Sequence, residues 1–220
     1  MLHDLLIVED KLEEAELARE TAKKSGFETI VIAHTLQEAQ QYLPEAQRVA
    51  SDLFFPAGDI STQQYIQRFL PIYEAYRERR FKHISKDSPV LAAVESCAKL
   101  FGITPEDYVE NFMAKMNTPA CVLKAARDSL VGREDAERYK RFLKIEQDIK
   151  EGRNLPLGII ALERAAERNL PRVLVTSTNH HNDAFEPVSS LIGTKYFDTL
   201  VNRNKDWESA MRYLINLGEK

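Results

Sequence analysis

The chain has 220 residues, 44% hydrophobic and 29% charged, which suits one large domain or one domain carrying a sizeable insertion. Its net charge of −4 gives no general attraction for nucleic acid or an anionic membrane, and no apolar run approaches the roughly 18 residues that span a bilayer. A cytoplasmic protein without membrane or nucleic-acid partners is expected. Cys97 and Cys121 lie in helix-like sequence away from any histidine cluster, so they suggest neither a disulfide framework nor a zinc site and are expected to be buried thiols.

In chain order, residues 5–8 are fully apolar, as in a central parallel strand buried on both faces. A helix follows over about 12–24, stopped by Gly26, then a β-branched strand at 29–33. Thr35 and Glu38 predict a capping box for a helix through Leu43, leading to a third strand around Val49 that ends at Asp52. From about Ala57 to Asn154 the rhythm breaks. No strand is predicted there, but helices are, over 62–80, 90–100, 105–116, 119–131 and 134–151, two of them begun by Thr104-Pro105 and Thr118-Pro119. Alternation resumes with a helix at 157–168, a strand at 172–176, a short helix at 185–192, a strand at 197–201 and a helix at 207–217. This predicts an α/β domain, residues 1–57 and 155–220, holding a five-stranded parallel sheet with helices on both faces and interrupted by a helical insertion, 58–154.

Three apolar runs end in polar groups: Glu9-Asp10, Asp52 and Thr176-Ser177. Strands that stop in this way deliver those groups to the carboxyl edge of a parallel sheet, where open α/β folds bind ligands. Carboxylates with a neighbouring hydroxyl suit Mg²⁺ and a phosphoryl group.

The stretches LLIVED, GFETIVIAHTLQEAQQYL, SDLFFP, LPLGIIALERAAERNLPRVLVTS and DTLVNRNKDWESAMRYL resemble, in order and spacing, the receiver domain of two-component response regulators. The resemblance covers nearly all of the chain outside the insertion. It implies a flavodoxin-like, doubly wound fold and an aspartyl phosphate formed on Asp52, with Thr176 meeting the phosphoryl group. It also implies Mg²⁺ held by Glu9, Asp10, Asp52 and the backbone carbonyl of Phe54, and a histidine kinase or other protein as partner. Receivers place a lysine, followed by proline, at the end of the fifth strand, where this alignment puts Asn202 and Arg203. Lys205 and Arg203 are the candidates to supply that cation from the loop. Thr199 stands where many receivers carry an aromatic switch residue.

Three functional readings remain at this point. One is a receiver-like signalling protein whose helical insertion is its partner or output surface. Another is a pseudo-receiver that binds partners without phosphate chemistry. The third is a Mg²⁺-dependent phosphatase with a helical cap, disfavoured because Phe54 stands where such enzymes carry a second aspartate. His180-His181 with Asp183 reads as a polar loop, the run Arg77, Arg79, Arg80, Lys82, Lys86 as a solvated helix end, and the stripe Tyr65, Phe69, Ile72, Tyr73, Tyr76 as core.

Overall fold

The computed structural model describes residues 2–81, 89–116, 118–177, 182–201 and 203–218. Strand β1 (Leu5–Val8) is apolar and buried throughout, so both its faces must be covered. It pairs in parallel with β2 (Ile30–Ala33) on one side and β3 (Val49–Ser51) on the other, Leu5 opposite Ile30 and Leu6 opposite Val49. β4 (Arg172–Val175) adds to β3 and β5 (Tyr196–Phe197) to β4, also in parallel, giving a five-stranded α/β sheet of order β2-β1-β3-β4-β5.

The strand period of two decides what each face meets. Leu5, Ile7, Ala50, Val173 and Val175 form one cluster with Ala18 and Ala22 of α1 (Leu12–Lys24) and Trp207, Ala210, Met211 and Leu214 of α8 (Trp207–Gly218). Helices α2 (Leu36–Tyr42) and α7 (Leu157–Glu167) pack on one another, α2 against β1 and β2, and α7 against β3 and β4. Each large apolar side chain buried this way contributes about 1.5–3 kcal/mol before the entropy of ordering it is subtracted.

Local signals work as read. Thr35 Oγ1 accepts from Glu38 N at 3.1 Å, while the returning bond of the box goes one residue further back, from His34 N to Glu38 Oε2 at 2.6 Å. Gly26, at φ +94°, closes α1 in the left-handed conformation that glycine adopts freely, and Phe27 N donates back to Ala22 O at 3.1 Å.

Between β3 and α7 lie α3 (Gln63–Arg80), α4 (Pro89–Phe101), α5 (Pro105–Asp107), which continues as a π-turn and a 3-10 turn to Met116, and α6 (Ala120–Lys150). Thr104 caps α5 as predicted, Oγ1 accepting from Asp107 N at 3.0 Å. Among the described residues this stretch holds no strand. The two helices predicted around residue 132 are one, because a single glycine costs a helix interior only about 1 kcal/mol and 31 residues of continuous helix absorb it.

The chain forms two compact units, Met1–Glu74 with Ile145–Lys220, and Ala75–Lys144. The aromatic stripe of α3 serves both. Tyr65, Phe69 and Tyr73 are buried in the first unit, whereas Tyr76 stacks on Phe142 in the second, ring centres 5.3 Å apart. The second unit also has a small core of Val94, Val109 and Ala126.

Two expectations are corrected. The fifth strand is Tyr196–Phe197 rather than 197–201. Leu200–Val201 (β6) and Asn204–Lys205 (β7) instead form a separate antiparallel hairpin, with Leu200 and Val201 exposed. Nor are the thiols core residues: Cys97 is partly buried and Cys121 exposed.

Candidate acidic site at the carboxyl edge of the sheet

Each of three strands hands a candidate residue to the edge on a last ladder bond: Glu9 N donates to Ala33 O at 2.9 Å, Asp52 N to Val8 O at 2.9 Å and Thr176 N to Phe197 O at 2.9 Å. The acids after β1 and β3 thus come together as predicted. One carboxylate oxygen each from Glu9, Asp10 and Asp52 lies within 4.8 Å of the others, a cluster that could hold a metal ion. Thr176, buried after β4, hydrogen-bonds to the Asp52 carboxylate.

The cation comes from β7. Lys205 is buried, its Nζ 2.9 Å from Asp52 Oδ2 and in contact with Glu9 Oε2. Arg203, the other candidate, is exposed in the turn of the hairpin, at φ +71°. Asn202 lies outside the described residues, as do His180-His181 of the loop after β4 and Lys82 and Lys86 of the basic run. Arg77, Arg79 and Arg80 occupy the last turn of α3, where cations complement the helix dipole.

The electrostatics follow from burial. Loss of water, reinforced by the charge on Asp52, pushes Glu9 up to about 7 against the pull of Lys205. Burial likewise raises Asp52 above its ordinary value of 3.8, opposed by Lys205, by the Leu53 N–H donating to Oδ1 at 2.7 Å, and by the Thr176 hydroxyl. Burial disfavours the Lys205 ammonium too, but Asp52 and Glu9 outweigh it and its pKa rises.

A divalent cation fits this donor set. Three carboxylates against one ammonium leave a formal excess of two negative charges. Asp10 Oδ1 is shielded from water yet has no hydrogen-bond partner among the described residues, an acceptor of the kind a hard cation takes. Asp10 and Phe54 line a cavity of about 610 Å³ whose walls include Pro56, Thr62 and Arg153.

Two contributors carried no local signal. Gly158, at the start of α7, lies so close to the loop after β3 that an added Cβ would sit 2.0 Å from Asp52 O; its N–H donates to Leu53 O at 3.0 Å. Glu14 of α1 accepts from Trp207 Nε1 at 2.9 Å beside Lys205. Only the placement of α1, α7 and α8 around the sheet reveals either role.

No protein-family model, curated protein or solved structure matches the chain. Among the described residues no helix is long and apolar enough to cross a membrane.

Proposed function

We propose that the chain is a divergent cytoplasmic receiver-like signalling protein with a flavodoxin-like, doubly wound fold, in which Asp52 accepts a phosphoryl group from a protein partner such as a histidine kinase. The observation that carries this reading is the approach of Lys205 Nζ to 2.9 Å from Asp52 Oδ2, on a carboxylate that also takes the Thr176 hydroxyl. Carboxylate, cation and hydroxyl arrive from three separate chain segments, a convergence suited to stabilising charge on a transferred group. The strand order β2-β1-β3-β4-β5 is that of flavodoxin-like sheets, with the acids at the edge where such folds bind ligands.

In this reading an Asp52 oxygen forms the new P–O bond as the donor's bond to phosphorus breaks, and the donor leaves with that electron pair. Lys205 and Thr176 then turn from the carboxylate to the phosphoryl oxygens. Glu9, Asp10, Asp52 and the Phe54 carbonyl would hold Mg²⁺, which when bound would offset the repulsion between a carboxylate and an anionic donor. The helical unit Ala75–Lys144, with Leu100 and Phe101 exposed, serves as partner or output surface.

A second reading draws on the burial of Asp52, only 5% exposed: a pseudo-receiver in which the Glu9–Lys205–Asp52 cluster is structural. Calorimetric titration with Mg²⁺ and then beryllofluoride separates the two. A receiver binds both, loses beryllofluoride binding in Asp52→Ala and loses Mg²⁺ binding in Asp10→Ala. Absence of beryllofluoride binding at saturating Mg²⁺ overturns the phosphoacceptor reading in favour of the pseudo-receiver. Hydrolysis of a phosphomonoester that depends on both Mg²⁺ and Asp52 would identify a phosphatase instead.

A further inference from the structure

The residue that ion-pairs Asp52 sits at the end of a two-stranded hairpin whose strands have only two residues each, a weak support for a catalytic cation. What fixes it lies elsewhere. Trp207 Nε1 donates to Glu14 Oε2 at 2.9 Å, and both Glu14 oxygens lie 3.4 Å from the backbone N of Lys205. Lys205 Nζ stands 5.9 Å from the centre of the Trp207 ring, within cation–π range. Asp206, between them, caps α8, its Oδ1 accepting from Ser209 N at 3.1 Å. Lys205, Asp206 and Trp207 are thus each fixed to a different partner: the acids, the start of α8, and α1.

We propose that Glu14 and Trp207 are positioning residues for the phosphoryl site. They hold the Lys205 ammonium where it reaches Asp52, and they pass a change of Lys205's partner on to the α1–α8 face. This inference rests on the phosphoacceptor reading of Asp52. Among the described residues Glu14 and Trp207 bond to one another and to Lys205 and not to the acids, so both act through Lys205. Trp207 is 1% exposed and packs with Ala18, Ala22, Ala210 and Met211, so an altered Lys205 is felt first where α1 meets α8. It is also the chain's single tryptophan, so its emission reports this site alone.

The test titrates Mg²⁺ and then beryllofluoride by calorimetry on wild type, Glu14→Ala, Glu14→Gln and Trp207→Phe, each first shown by circular dichroism to be folded, with tryptophan emission followed in parallel on the three proteins that keep Trp207. Mg²⁺ affinity should be no weaker than in wild type in all three variants, because Lys205 pairs with Glu9 and Asp52 and does not itself bind the metal. Beryllofluoride affinity should fall roughly tenfold in Glu14→Ala, the effect of misplacing one charge-assisted donor, and part of the loss should return in Glu14→Gln, whose amide oxygen still accepts from Trp207. Wild-type and Glu14→Gln emission should change on beryllofluoride addition. A variant that has merely lost packing would weaken both ligands together, which overturns the positioning role. So would unchanged beryllofluoride affinity in Glu14→Ala with silent wild-type emission. Wild type that binds no beryllofluoride by calorimetry refutes the phosphoacceptor reading itself, a result distinct from either.

Discussion

Replacing Gly158 by alanine tests how closely α7 is seated on the loop after β3. The new Cβ would lie 2.0 Å from Asp52 O and 2.9 Å from both Asp52 C and Leu53 Cα. All three are backbone atoms, so no side chain can swing aside. Reaching an ordinary contact of 3.4 Å requires α7 or the loop to retreat by about 1.4 Å, far more than a close-packed interior absorbs. Overpacking of this kind costs about 1–3 kcal/mol. The retreat also stretches the 3.0 Å bond from Gly158 N to Leu53 O, a further loss of about 1 kcal/mol. Alanine's better helix propensity returns about 1 kcal/mol, leaving a net destabilisation of about 1–3 kcal/mol. Urea unfolding followed by far-UV circular dichroism at constant m-value measures it. Moving the Asp52–Leu53 peptide also disturbs the 2.7 Å bond from Leu53 N to Asp52 Oδ1, so Mg²⁺ affinity should drop in the same variant. A Gly158→Ala protein within about 0.5 kcal/mol of wild type, with unchanged Mg²⁺ binding, would refute the reasoning.

Further outcomes concern bonds away from the site. Asp4 Oδ2 accepts from Glu28 N and Thr29 N, both at 2.9 Å, and these bonds lower its pKa from the ordinary 3.8. A carboxylate with a depressed native pKa stabilises the fold above its unfolded value, and that share is lost as pH falls through the native one. Asp4→Asn should therefore flatten the acid limb of the stability–pH curve below about pH 4 while mattering less there than at pH 7; an unchanged limb would count against it. Tyr73 donates from its hydroxyl to Ala184 O at 2.5 Å with its ring fully buried, so Tyr73→Phe should cost about 1–2 kcal/mol in urea unfolding, and a neutral result would show that the carbonyl finds another donor.

What was legible in the sequence is what local chemistry writes. The buried run Leu5–Val8, the Thr35 cap, Gly26 and the proline-led helix starts each act within a few residues, and the structure has the corresponding elements. The acids grouped at one edge were legible too, because parallel strands that end in carboxylates share that edge. In the sequence Lys205 is one of two loop cations that could stand in for the receiver lysine, the other being Arg203. The apolar pair Leu200–Val201 looked like strand and drew the fifth strand past its real end, which pushed the expected lysine position onto Asn202. The signal that was present is Asp206 as a helix cap immediately after a lysine. Gly158 and Glu14 had no local signal at all, since their roles depend on close approaches between elements more than 100 residues apart in sequence.

The ladder bonds that end on Glu9, Asp52 and Thr176 have a consequence for how this chain can change over time. Glu9, Asp52 and Thr176 are each the closing rung of a strand, so their placement is complete before the connecting segment begins. Whatever follows the Leu53 N–H is therefore free to lengthen, shorten or be exchanged without altering the acids' spacing, provided it returns to place Gly158 on Asp52. An excursion of about a hundred residues at that point costs only about 2–3 kcal/mol more to close than a loop of five, since the entropy of closing it grows with the logarithm of its length. New helical segments can then be added at that point of the chain while the spacing of Glu9 and Asp52 is kept.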